Sequence, residues 1–492
     1  MNTTLTRRGI LGAALAGLAH AAWAEAPLTA LRPVPRPGSV LPPSGAEIAA
    51  RAGLSGEVAF ALADADTGEM LELLTAFDPM PPASVTKTFT ALYARDILGP
   101  DHRFSTRLIG TGTLAGGRLS GDLILAGGGD PVLTTDDLAA LAADLKAAGV
   151  DEVAGRFLVW GGALPYQHEI DPGQLPHLGY NPAVSGLNLN FNRVYFEWAP
   201  QGTGGYRVSM DARTDTYRPD VAMARMRVAD RDLPVYTYDD AGGADDWTVA
   251  RTALGDGGSR WLPVRKPALY AGDVFRTMAA AQGIALPAAV EVTDLPEGAE
   301  LARHDSPPLD VLIADMLEYS TNLTAEILGL TATQAAGGHP ATLAQSAAAM
   351  RRWAQGRLGI HARFGDHSGL GAGTAVSAAE MVTALVAAAR DGALIRLMKD
   401  IALLDDDGDA LPAPPAVVRA KTGTLNFVSA LAGYLVTPGG RRLAFAIFTA
   451  DPERRVEAQD SDEEIPPGTR DWGRQARQLQ QHLLQGWALR HR

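Results

Sequence analysis

Pro82-Ala83-Ser84-Val85-Thr86-Lys87 opens an apolar helical run, Phe89 to Leu98, and the reading of this stretch decides the fold. Positions i and i+3 of a helix share a face, so the Ser84 hydroxyl and the Lys87 amine can touch, giving a candidate nucleophile with its own base. Pro81 and Pro82 cannot continue a helix backwards, and Phe89, Leu92 and Tyr93 supply a buried stripe, which places Ser84 in the first turn. Its amide is then one of the unpaired donors that suit a helix start to an oxyanion. Taken alone, Ser-x-x-Lys is an ordinary surface pair at a helix start. Two counts weigh against that here: no other serine has a lysine three places on, and only five of the 43 Lys and Arg residues are lysines. Where a cation is needed this chain nearly always uses arginine, which cannot give up its proton. A lysine at Ser+3 points to chemistry that needs a neutral amine.

With 492 residues, 46% of them hydrophobic and 20% charged, the chain is long enough for two or three domains. A net charge of -13 argues against a nucleic-acid partner, which would ask for a basic face. The absence of cysteine excludes disulfides, thiol catalysis and cysteine-based metal sites. Thr6-Arg7-Arg8-Gly9-Ile10-Leu11, the small apolar run to Ala22 and the Ala22-Trp23-Ala24 cleavage pattern read as a signal peptide over residues 1–24. The paired arginines resemble a twin-arginine signal, which implies export in folded form to the periplasm. An uncleaved anchor is the rival, but the run is short for a bilayer and ends in a processing site. No later stretch is apolar for long enough to span a membrane.

Residues 25–45 form a proline-rich lead. Val58–Leu62 and Met70–Leu74 read as a hairpin, followed directly by the helix from Ser84. Beyond Arg103 come short strands and glycine turns: Thr106–Gly110, Gly121–Ala126, the turn Gly127–Pro131 and Phe157–Trp160. The glycine cluster lacks the Gly-Lys-Ser/Thr ending of a phosphate loop. Thr134–Ala148 has the spacing of a capped amphipathic helix. Strand-like runs follow, among them Leu187–Asn190 and Val194–Trp198, with one helix at Ala271–Gln282. Helical spacing returns at Leu309–Leu317, Asn322–Thr333, Ala341–Leu358 and Ser377–Ala389. Strands at Val417–Lys421, Phe427–Val436 and Leu443–Thr449 precede a last helix, Asp471–Trp487. The pattern predicts a discontinuous α/β domain, helices packed on an antiparallel sheet, over 46–105 and 300–492. A mostly-β insertion of one or two subdomains occupies 106–299.

Two further motifs fit a serine nucleophile. Ser320-Thr321-Asn322 starts a helix, where Ser or Asn also serves as a plain N-cap. Lys421-Thr422-Gly423-Thr424 enters a strand, where glycine also marks a weakened edge. In this order Ser-x-x-Lys, Ser-x-Asn and Lys-Thr-Gly are far more specific than any one of them, and form the signature of penicillin-interacting serine enzymes. Arg103-Phe104-Ser105-Thr106, Gly121-Asp122-Leu123, Ser306-Pro307-Pro308-Leu309, Ser320 to Glu326 and Arg419 to Leu425 narrow the match. The chain resembles the D-alanyl-D-alanine carboxypeptidase/endopeptidases of the low-molecular-mass class C penicillin-binding family, from about residue 45 onward.

That resemblance implies a β-lactamase/transpeptidase-like fold and a peptidase acting on peptidoglycan stem peptides. Ser84 would attack the penultimate D-alanine carbonyl and Lys87 would take its proton, with burial and the nearby cation Lys421 both lowering the amine's proton affinity. The amides of Ser84 and Thr424 would hold the oxyanion. Ser320 would pass a proton toward the leaving amine, and Asn322 would pin the substrate backbone. Lys421 with Thr422 or Thr424 would bind the terminal carboxylate, while Gly423 permits close approach. β-Lactams would enter as inhibitors, and no metal or other cofactor is implied. Asp405-Asp406-Asp407-Gly408-Asp409 lacks calcium-loop spacing and reads as a solvated loop. One departure stands out. Related proteins tend to carry Asp-Gly-Ser-Gly-Leu-Ser-Arg where this chain has Asp366-His367-Ser368-Gly369-Leu370-Gly371-Ala372. His367 reads as a loop histidine bonded to backbone. Two rival functions are a β-lactamase, for which no Glu-x-x-x-Asn element is evident, and a wall-binding scaffold that keeps the motifs as relics.

Overall fold

Alternation along three neighbouring strands builds the main sheet. In Glu57–Asp64, Ala59, Ala61 and Ala63 face one way and Phe60 and Leu62 the other. Arg442–Ala450 repeats this, with Ala444 and Ala446 on the first face and Leu443, Phe445 and Ile447 on the second, and Val428–Val436 follows suit. Small side chains on one face let a layer of helices approach closely, while large ones on the other fill the space under two helices. The result, in a computed structural model that describes residues 42–202, 204–461 and 463–492, is a six-stranded antiparallel sheet. Its order is Lys399–Ile401, Val417–Leu425, Val428–Val436, Arg442–Ala450, Glu57–Asp64, Met70–Leu74. The expected signal peptide and almost all of the proline-rich lead lie outside the described residues.

The helices Lys87–Leu98, Asn322–Ala335, Leu343–Leu358 and Ala378–Ala388 share the core on the alanine side. On the opposite face Gly45–Ala52 packs against Thr469–Arg490, whose Trp487 sits edge-on to Phe60 at 5.4 Å. Ser44 and Glu47 form a capping box at the start of the first helix. The expected fold class, helices on an antiparallel sheet, is therefore borne out.

Between the hairpin and the later helices lie further sheets. A five-stranded sheet runs Val290–Glu291, Phe157–Trp160, Leu123–Gly127, Ser105–Gly110, Ala299–Asp305. Helices Thr135–Ala147 and Pro267–Ala281 contact one another within the same core. Two three-stranded sheets follow, Tyr206–Asp211/Arg193–Pro200/Gly258–Pro263 and Ala224–Ala229/Asp245–Ala250/Tyr236–Asp240. The chain leaves and returns through adjacent antiparallel strands, with Ser105 opposite Asp305. Arg103 Nη1 donates to the Ser306 carbonyl at 2.6 Å and the Phe104 amide to Ser306 Oγ at 3.0 Å. Two stretches singled out in the sequence, about 200 residues apart, thus bind each other.

Three elements differ from the sequence reading. The expected strand Val417–Lys421 runs on to Leu425, so Lys421 to Thr424 lie inside the sheet. Leu187–Asn190 is not a strand. Its alternating leucine and asparagine mimic period two, but Asn190, Phe191 and Asn192 turn left-handed at φ 48, 59 and 51°, and the Asn192 side chain bonds the Leu189 amide and Asn188. The helix expected from Ala271 begins at Pro267, where proline's missing N–H costs nothing.

Trp487 is fully buried between Phe60 and Phe445. Trp487→Ala is expected to cost about 3–5 kcal/mol in urea-induced unfolding. Tyr217→Ala, on an exposed ring, should shift the same curve by about 0.5 kcal/mol or less.

Candidate active site

Ser84 lies in a tight 3₁₀ turn, Ala83–Thr86, that runs straight into the helix from Lys87. Ala83, immediately before it, sits at φ 46°, a conformation that costs energy for a residue with a Cβ. Two glycines hold the turn there. A Cβ on Gly423 would lie 2.5 Å from the Pro82 carbonyl oxygen, and one on Gly369 would lie 2.0 Å from that of Ala83. Only residues without side chains let the strand and the 366–371 loop touch the serine turn on both sides. The close approach foreseen for Gly423 is therefore to its own neighbour in the fold.

Lys87 is buried, and its Nζ donates three hydrogen bonds: to Ser84 Oγ at 3.0 Å, Asn322 Oδ1 at 2.7 Å and the Ser368 carbonyl at 2.9 Å. Burial pushes the amine down to about 8, against the opposing pull of Asp366 and Glu326. Lys421 Nζ donates to Ser320 Oγ at 3.0 Å and to the Thr422 carbonyl at 2.7 Å. It too is driven well below its ordinary range, by burial first and by the charge of Lys87 second. Burial is the largest cause for both amines, and the repulsion between them, which acts on each, adds to it. Two buried amines here compete for protons.

Ser320 ends the helix Leu309–Tyr319 in the left-handed region, φ 61°, and Asn322 begins the next helix. That sharp junction carries both side chains to the two lysines. Asn322 is committed at both ends, since its Nδ2 donates to the Tyr180 carbonyl at 2.9 Å. Ser84, Ser320, Asn322, Gly369, Tyr180 and Thr424 line one open cleft of about 920 Å³. Lys87 and Lys421, both buried, hydrogen-bond to Ser84, Asn322 and Ser320 of its lining. Thr422 and Thr424 alternate outward on the strand, where Thr424 faces the cleft, and Thr422 contributes the carbonyl that holds Lys421. Among the described residues no group of three or more histidine or carboxylate side chains could hold a metal ion.

At the rim, Glu464 accepts from Arg260 Nη2 at 2.7 Å and lies 3.8 Å from His177 Nε2. His177 and Arg260 hold its carboxyl down to about 2. No sequence signal marked this ionic clasp, because its members are isolated residues from separate segments. Tyr180 was missed for a similar reason, since it acts through a backbone carbonyl. Glu326 did leave a signal, as the lone charge in the apolar run Leu323–Leu330, four residues past Asn322.

His367 differs from its sequence reading. It is fully buried, its Nε2 shares a hydrogen bond with Ser346 Oγ at 2.8 Å rather than meeting backbone, and burial pushes its imidazolium to about 3, so the ring is neutral. The ring occupies the space over Gly329, where a Cβ would lie 2.1 Å from it. The departure at position 367 is thus accommodated by a glycine on the facing helix.

The model of the D-Ala-D-Ala carboxypeptidase 3 (S13) family matches residues 46–466. A D-alanyl-D-alanine carboxypeptidase, DacB of Haemophilus influenzae, is 28% identical over 388 residues, covering 74% of this chain and 79% of the relative. A D-alanyl-D-alanine carboxypeptidase of Actinomadura sp. strain R39 is 28% identical over 436 residues, covering 78% and 76%. The crystal structure of penicillin binding protein 4 from H. influenzae superposes with a TM-score of 0.72 at 20% identity, over 90% of this chain and 99% of that one, which shows a shared fold.

Gly329→Ala should lower the melting temperature of the protein, because the methyl meets the His367 ring. Gly329→Ala/His367→Gly should recover part of that loss. Equal melting of the single and double variants, read by calorimetry, would show that the two positions do not share this space.

Proposed function

The chain belongs to the D-Ala-D-Ala carboxypeptidase 3 (S13) family, and on that premise we propose that Ser84 is its acylating nucleophile and Lys87 the base that activates it. The observation that carries this reading is the convergence of three distant motifs on one hydroxyl. Lys87 Nζ touches Ser84 Oγ and Asn322, and Lys421 Nζ touches Ser320 beside them.

The geometry supports the following course of reaction. A stem peptide ending in D-alanyl-D-alanine lies along the strand Val417–Leu425, with its terminal carboxylate toward Lys421, Thr424 and Thr422. Gly423, having no side chain, keeps the serine turn close to that strand. Neutral Lys87 takes the Ser84 proton as Oγ attacks the penultimate carbonyl, and the amides of Ser84 and Thr424 hold the oxyanion. Ser320, bonded to Lys421, passes a proton to the departing D-alanine nitrogen. Water then releases the acyl-enzyme. Asn322 orients Lys87 and reaches the substrate only by giving up Tyr180.

A β-lactam offers a strained amide and a carboxylate in the same places, which makes it the expected covalent inhibitor. Peptidoglycan is the substrate in this reading, with cleavage of D-alanyl cross-links as a second activity of the same site. The chain acts in the periplasm after export through its paired-arginine leader. Among the described residues no helix is long and apolar enough to cross a membrane. The peptidase domain is 46–105 with 300–492 and the insertion 106–299. The pairing of Ser105 with Asp305 supports a seam there, with Ala299–Asp305 shared between the two.

Fluorescent penicillin should label the purified protein and not Ser84→Ala. Equal labelling of both would end this assignment. Lys87→Arg keeps the charge but not the base, and should slow acylation by about a hundred- to ten-thousandfold. Since only neutral Lys87 takes the proton and burial sets it at about 8, the acylation rate should climb with pH and level off above that value. A flat profile in stopped-flow measurements would contradict the role of Lys87. Mass analysis of digested muropeptides separates loss of one alanine from conversion of dimers to monomers.

A further inference from the structure

Near Lys87 lie two carboxyl groups that the reaction above does not use. Glu326 and Asp366 are both buried. Glu326 stands one helical turn past Asn322 and so shares its face. Its Oε1 accepts from the Ser368 amide at 2.8 Å and its Oε2 from the His367 amide at 3.0 Å. Asp366 Oδ1 accepts from the Gly369 amide at 2.5 Å and Oδ2 from the Gly371 amide at 2.7 Å. The Ser368 carbonyl, which takes a hydrogen bond from Lys87 Nζ, belongs to the same peptide unit as the Gly369 amide. One peptide group therefore has a carboxyl at its N–H end and the catalytic amine at its C=O end.

We propose that Asp366 and Glu326 are positioning residues that hold the Ser368 carbonyl against the Lys87 amine and supply the negative charge that offsets its burial. The proposal rests on Lys87 being the base. A peptide polarised at both ends accepts more strongly than an isolated one, so the pull of Asp366 is delivered to Nζ through the Ser368–Gly369 bond. Without that charge, burial alone would leave the amine neutral but too weak a base to take a serine proton. The same bonds fix the loop whose Gly369 presses on the Ala83 carbonyl, so the pair also holds the turn that carries Ser84.

The charges around Lys87 decide how the pair behaves. Asp366 and Glu326 attract its charge and Lys421 repels it, while Lys399 and Glu318 act in turn on Lys421 and Asp171 on Asp366. The His367 ring alongside is neutral. Burial and mutual repulsion push both carboxyls up, Glu326 to about 8, so near neutral pH they hold fewer than two charges between them. Of the two, Asp366 acts on Lys87 more strongly than Glu326 does.

The small number of lysines makes the test direct, because lysine labelled with ¹³C at Cε gives five signals, and Lys87 is the one absent from Lys87→Arg. Its titration is followed in the native chain, in Asp366→Asn and in Glu326→Gln. Asp366→Asn should move the Lys87 midpoint to lower pH, and Glu326→Gln should move it less. An unmoved midpoint in Asp366→Asn, or a larger shift in Glu326→Gln, overturns the proposal. The rise of penicillin acylation with pH should move along with the signal. If Asp366→Asn does not fold, the native chain still decides: ¹³C-labelled Asp366 carboxyl and Lys87 Cε should inflect together, and independent inflections overturn the coupling. Absence of acylation in the native protein sinks the assignment of Ser84 while leaving the Lys87 titration to report on the carboxyl pair.

Discussion

A primary amine with almost no access to water is the constraint that shapes this molecule. Lys87 loses its hydration on folding, and an ammonium so placed is tolerated only where acceptors meet its N–H bonds and opposite charge lies near. Three acceptors from three separate parts of the chain do so, namely Ser84, Asn322 and the Ser368 carbonyl. Each is carried by an element that has to be exact in its own right. The serine turn needs Ala83 in a left-handed conformation, the helix junction needs Ser320 in another, and the loop needs Gly369 against the turn. The sheet and its helices serve to bring these three pieces together around a single nitrogen.

The order of the main-sheet strands could not have been read from the chain itself, yet the strands could. Continuous apolar runs such as Val428–Val436 identified buried strands, and the spacing of apolar residues identified the helices at Leu309, Asn322 and Leu343. The site was legible because its side chains sit in three short motifs of unusual residue types, with lysines in a chain that otherwise uses arginine. Side chains that act singly were not legible. Glu464, Arg260 and His177 meet from far-apart segments with no local pattern, and Tyr180 contributes only a carbonyl. The Leu-Asn alternation at 187–190 misled because period two is a property of side-chain polarity. The backbone there follows the asparagines, which bond to neighbouring peptide groups and stabilise a left-handed turn.

The His367 ring shows how one buried side chain is accommodated: the space for it comes from Gly329 on the facing helix. The imidazole finds Ser346, which in turn meets Thr333 and, beyond it, Tyr93. None of these groups lines the cleft, so the ring bears on the packing of the helix from Lys87 and adds nothing to the cleft wall.

The neighbour of the first long strand, Glu57–Asp64, on its inner side is Arg442–Ala450. A ribosome making this chain therefore releases the opening hairpin long before the partner that completes its hydrogen bonds exists. Until nearly the whole message has been translated, the strand edge that will become the middle of the sheet stays open, and Ser84 has no pocket around it. A prematurely terminated product lacking the last three strands would carry Ser84 and Lys87 but none of the Lys-Thr-Gly wall. The walls around Ser84 are thus completed only once the last strands of the sheet have been made.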